Sequence, residues 1–128
     1  MAAADPVTLI GPDDRAEGDL TPGMVREQAI AVDRMWAGLV RTGARMISGW
    51  HHHGDYDTAI YVLKGRFRLE CGPNGSVVID AGPGDFLHVP QGAIHWEGNP
   101  SDEEGQAIVL RAGQGPPVIN VEGPAVAS

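Results

Sequence analysis

The chain has 128 residues and a single cysteine, Cys71, so no disulfide within the chain can staple it. A reducing compartment suits such a chain, and a cytoplasmic location is the expectation. No apolar run reaches the roughly 18 residues that a membrane-spanning helix needs. The opening MAAADPVTLIGPDD lacks the basic segment and apolar core of a secretion signal. Basic residues are scarce, with 9 Lys and Arg against 17 Asp and Glu, for a formal net charge of −8. Acidic residues gather at positions 13–19 and 102–104, and no basic patch offsets them. Neither nucleic acid nor an anionic membrane surface is therefore an expected partner. The acidity itself is read as a device for solubility.

Long helical stretches are missing too. What the chain has instead is glycine (18), proline (10) and 42% apolar residues. That is enough for one domain with its own core, and it predicts an all-β fold with many turns. Residues 1–22 read as an irregular arm, with a short strand at 7–10. Residues 113–128 read as a second arm, with an edge strand at 118–121. Arms of this kind fray, or dock on a neighbouring subunit. Residues 23–112 lie between them as a barrel.

Within 23–112, residues 24–30 read as a strand or a single helical turn. Strands are expected at 35–41, 59–63, 66–71, 76–80, 86–89, 94–97 and 106–111. Alternation is clearest at 66–71, where Phe67, Leu69 and Cys71 share one face and Arg66, Arg68 and Glu70 the other. Ala107 and Val109 likewise oppose Ile108 and Leu110. Turn signals such as GPNG, AGPGD and PQG separate the strands. Short strands with such frequent turns form a sandwich or a barrel, and a barrel of this size can enclose one small ligand.

The stretch GWHHHGDYDT, residues 49–58, concentrates the chemistry. On a strand His51 and His53 share a face about 6–7 Å apart, and two imidazoles so placed can converge on one ion. His52 then points away. Asp57 follows a glycine-containing bend and can bring a carboxylate to the same ion. His95 lies on a later strand, just after the Pro90-x-Gly92 turn, where a barrel can bring it opposite the first pair. His88 lines the cavity or lies on the outer face. Trp50, Tyr61, Phe86 and Trp96 flank these strands as core or pocket wall. Arg41, Arg66, Arg68 and Arg111 are read as an outer, solvated face. An inward arginine would instead bind a carboxylate by a forked contact. Cys71 packs on the apolar side of its strand.

Residues 84–99, GDFLHVPQGAIHWEGN, and residues 51–65, HHHGDYDTAIYVLKG, resemble the two motifs of the cupin superfamily. The resemblance implies a single-domain jelly-roll β-barrel, the double-stranded β-helix, with one divalent transition metal ion near its mouth. The ligands it implies are His51, His53 and His95. At the fourth position the chain departs from the pattern. A three-residue gap after His53 gives Asp57, with seven residues before Gly65; a four-residue gap keeps the usual six, but selects Thr58. The reading favours Asp57, since a hydroxyl is a poorer ligand than a carboxylate, although Asp57 is short enough to reach the ion only through water. Arg45 stands where the motif has glycine.

A small-molecule substrate and a homodimer follow from the same resemblance. Iron is the favoured metal, with Mn, Ni, Cu and Zn also compatible with imidazole. Dioxygenase-type oxidation of a chelating substrate is the favoured activity. A non-redox isomerase, epimerase or lyase and a non-catalytic binding module are the alternatives, because the fold alone does not choose among them.

Overall fold

A computed structural model describes residues 5–21 and 23–126. Among them, eleven strands form two sheets. The larger sheet contains β1 (Ala16–Glu17), β2 (Met24–Val32), β3 (Met35–Thr42), β5 (Asp57–Lys64), β8 (Phe86–Val89) and β10 (Gly105–Ala112), in the order β1-β2-β3-β10-β5-β8. The smaller contains β4 (His51–His52), β6 (Phe67–Cys71), β7 (Val77–Ala81), β9 (His95–Gly98) and β11 (Ile119–Asn120), in the order β11-β4-β9-β6-β7. Every strand pairing is antiparallel. The chain is all-β, and its two sheets make the double-stranded β-helix.

The sequence pattern explains why the sheets close on each other. Along β5, Thr58, Ile60 and Val62 are buried, while the residues between them are more exposed. Along β10, Ala107, Val109 and Arg111 are buried, while Ile108 and Leu110 face out. In β6, Phe67 and Leu69 point inward as their alternation predicts. The apolar ones among these inward residues, with Val40, Trp36 and Val89, form one continuous core. Gly65 turns the chain from β5 to β6 with a φ of +79°, and a Cβ there would meet the Gly105 Cα at 2.9 Å. Glycine is the residue that satisfies both demands.

Several elements differ from the sequence reading. Residues 7–10 form no strand, and Val7 and Leu9 lie exposed. The alternative of a helical turn at 24–30 gives way to the nine-residue strand β2, because β3 offers a full antiparallel partner from Met24↔Thr42 to Val32↔Met35. The arms dock on their own barrel: β1 pairs with β2, and β11 pairs with β4. No helix among the described residues is long and apolar enough to cross a membrane.

Phe67, 1% exposed, is a large buried side chain at the centre of this core. Phe67→Ala is expected to lower unfolding stability by about 3–5 kcal/mol, read from urea denaturation. A loss below about 1 kcal/mol would remove Phe67 from the core's main contacts.

Candidate metal centre

The register of the smaller sheet assembles the site. β4 and β9 pair with His51 directly opposite His95. The two-residue period of extended chain puts His53 on the face of His51, and Glu97 on the face of His95. All four side chains are buried inside the barrel. Their candidate ligand atoms lie within 4.8 Å of one another. The ring centroids are 5.2 Å apart for His51–His53, 4.4 Å for His51–His95 and 5.2 Å for His53–His95.

Backbone carbonyls orient the three rings. The Nδ1 of His51 lies 2.9 Å from the Gly49 carbonyl oxygen, that of His53 2.8 Å from Pro117 and that of His95 2.9 Å from Ala93. A carbonyl only accepts, so each Nδ1 carries the proton and donates it. In the neutral ring this leaves Nε2 as a bare lone pair. Burial, and then the charge of Arg111, lower the pKa of His53 to about 3, so its imidazole is neutral. Neutral imidazole is the form that binds a metal.

The Nε2 lone pairs then point at one another and at a carboxylate. His95 Nε2 is 3.0 Å and His51 Nε2 3.5 Å from Glu97 Oε1. His51 Nε2 has no hydrogen-bond partner among the described residues, at a site where it is fully buried. Four acceptors thus face one point, and a cation there relieves their mutual repulsion. An ion with bonds of about 2 Å bridges such a span after a small inward shift. The cluster fits a metal site of the three-histidine, one-carboxylate kind.

Asp57 is not part of it. Its side chain is 51% exposed, accepts a hydrogen bond from His88 Nε2 at 3.0 Å and lies 3.3 Å from Gln91 Nε2. The reason is parity. β5 buries Thr58, Ile60 and Val62, so Asp57 must face outward. Thr58, the residue selected by the four-residue gap, takes the inward place. The carboxylate is supplied from another strand by Glu97. Sequence reasoning missed it, although His95-x-Glu97 has the same spacing that singled out His51-x-His53. His52 turns away from the cluster and accepts the Gly54 N–H at 3.0 Å. His88 lies on the outside, 67% exposed.

Arg111 corrects the expectation of an outer arginine face. It is 2% exposed, and its guanidinium sits 4.4 Å from the centroid of the Trp36 ring. It shares the inward face of β10 with Ala107 and Val109. Arg26, on β2, is equally buried. Arg41 and Arg68 lie at the surface as expected, paired with Glu27 and Asp80. A narrow cavity inside the barrel is lined by His53, Thr58, Glu97, Arg26 and Arg111. A wider groove, of about 500 Å³, runs past Trp96, Asn99, Arg45 and Arg68 without touching the cluster. Its arginines are already paired with Asp102 and Asp80, and none of the clustered side chains lines it.

The cupin-domain family model matches residues 39–111, more than half of the sequence, and the chain belongs to that family. No curated protein sequence matches it. Among solved structures, KdgF from Halomonas sp. is similar at 20% identity and a TM-score of 0.69, over 84% of this chain and 96% of that one. The polyketide cyclase RemF from Streptomyces resistomycificus is similar at 20% identity and a TM-score of 0.74, over 91% and 86%. An uncharacterized conserved protein with a double-stranded β-helix domain from Klebsiella pneumoniae shares 14% identity at a TM-score of 0.73, over 91% and 99%. At these identities the likeness is one of fold.

Metal content by mass spectrometry, after anaerobic purification, checks the ligand set. His51→Ala and His95→Ala are each expected to abolish retention, and Glu97→Gln to weaken it by about tenfold or more. Asp57→Ala is expected to retain a full equivalent. Loss of metal in Asp57→Ala, with retention in Glu97→Gln, would reverse the assignment of the carboxylate.

Proposed function

We propose that this protein is a metal-dependent cupin enzyme acting on a small organic molecule, with oxidation of a chelating substrate as its chemistry. The observation that supports it is the convergence of three Nε2 lone pairs and the Glu97 carboxylate at one buried point. A divalent transition metal held there, iron in the favoured reading and Mn, Ni, Cu or Zn otherwise, supplies Lewis acidity and, as iron, one-electron chemistry toward dioxygen.

The chain's own residues have distinct tasks. His51, His53 and His95 hold neutral donors in fixed orientation through their backbone bonds. Glu97 contributes one negative charge, and its N–H is fixed by Ser48 Oγ at 2.9 Å. Two histidines with one carboxylate are the donor set of non-haem iron oxygenases. The present set contains it and adds one imidazole. His51, His53, His95 and Glu97 would hold the ion, which would supply Lewis acidity to a chelating substrate. Val40, Ile60 and Val109 line the same cavity as His53 and Glu97 and exclude bulk water from it.

The homodimer belongs to the same proposal. The outer face of the larger sheet exposes Val25, Met35, Ile108 and Leu110 on three adjacent strands, an apolar surface for a second copy of the chain.

Protein purified without oxygen is expected to carry iron and to consume oxygen only when a chelating substrate is added. Zinc or nickel, with no oxygen uptake across a substrate panel, would replace the oxidative reading with the non-redox or binding one. Light scattering at micromolar concentration is expected to give the mass of two chains. A single-chain mass would remove the dimer.

A further inference from the structure

Two cations are buried beside the candidate metal centre, in a cavity whose lining holds one carboxylate, Glu97. Arg26 and Arg111 are each 2% exposed and line one cavity with Thr58, His53 and Glu97. Arg26 Nη1 is tied to the Asp19 carbonyl at 3.1 Å and to the Thr21 hydroxyl. Its Nε has no partner among the described residues, and neither has Arg111 Nε or Thr58 Oγ1. Three residues that line one small space thus each hold a buried, unpartnered atom able to donate. The carboxylate there, Glu97, is already engaged by His51 and His95. A buried donor without an acceptor costs on the order of 1–3 kcal/mol, and more when it is charged. Asp19 acts on both guanidiniums from outside the cavity lining, and within the lining itself two guanidiniums face one carboxylate.

We propose that Arg26, Arg111 and Thr58 form an anion pocket that receives the carboxylate of the enzyme's substrate. This rests on the enzymatic reading above and narrows its substrate class to small carboxylic acids. A carboxylate is acceptor-only, as the unmatched donors require. It is planar, as a narrow cavity and a guanidinium fork favour. Arg111 is held for the task by the Trp36 ring, which is fixed in turn by a 2.9 Å hydrogen bond from its Nε1 to Gln28 Oε1. Arg26 is held by residues 19 and 21 of the N-terminal arm. Burial, and then the charge of Arg26, lower the Arg111 pKa to about 10, which leaves its guanidinium charged at neutral pH.

The test is calorimetric titration of the full chain, zinc-loaded and after chelation, with acetate, pyruvate, inorganic phosphate and the neutral isostere acetamide. Acetate and pyruvate are expected to bind in both states, and acetamide at least about tenfold more weakly. Arg111→Met is expected to weaken carboxylate binding by about tenfold or more, and Arg111→Lys to restore part of it. Should Arg111→Met not fold, the acetate–acetamide contrast in the parent chain and the loss in Arg111→Lys carry the same decision. Equal binding of acetate and acetamide, unchanged affinity in the arginine variants, or phosphate binding tighter than every carboxylate would each overturn the proposal. Carboxylate binding that persists in a chain unable to retain any metal would support the pocket while removing the metal-dependent reading. Metal retention without carboxylate binding would do the reverse.

Discussion

The candidate site depends on three hydrogen bonds that leave the rings, not on any between them. Each imidazole gives its Nδ1 proton to a backbone carbonyl, of Gly49, Ala93 or Pro117. Those bonds fix both ring orientation and tautomer, so that the unprotonated nitrogens face inward. Gly49 and Ala93 each precede their histidine by two residues, so the local backbone sets those two rings. The third carbonyl comes from 64 residues away along the chain. It is in place because β11 pairs with β4, with Ile119 opposite His52. The C-terminal arm is thus a working part of the site, and Asp19 and Thr21 of the N-terminal arm anchor Arg26 in the same way.

Much of the fold was legible because alternation is written directly into short strands. Phe67-x-Leu69 and Ala107-x-Val109 show which residues face the core, and the glycine–proline turns show where each strand stops. The two-residue strands β1, β4 and β11 were harder, because they exist through pairing and carry no pattern of their own. The weak point in the site was the parity of β5. Whether Asp57 or Thr58 faces inward is decided by where the strand begins after the Gly54 bend, and a slip of one residue exchanges the two faces. Glu97 was within reach of the same reasoning that found His53. Arg111 was too, since Ala107, Val109 and Arg111 share one period. Arginine is so rarely buried that the outward reading prevailed over the pattern. Arg26 had no such signal, because its strand was itself uncertain.

The electrostatics of the interior follow one logic. Burial keeps His53 neutral, while Arg111, lowered only to about 10, keeps its charge. The barrel interior therefore offers lone pairs on one side of a narrow space and unmatched donors on the other. An uncharged apolar molecule would satisfy neither side. A cation and an anion together satisfy both.

The placement of the three tryptophans has a spectroscopic consequence. Trp36 lies under the Arg111 guanidinium, Trp50 precedes His51 in sequence and Trp96 follows His95, with the last two rings in edge contact at 6.5 Å. Strand alternation puts Trp50 and Trp96 on the outer face of the smaller sheet, and Trp36 alone of the three touches a residue of the inner cavity. Intrinsic fluorescence therefore divides into one emitter that senses the interior and an outer pair that senses the sheet surface.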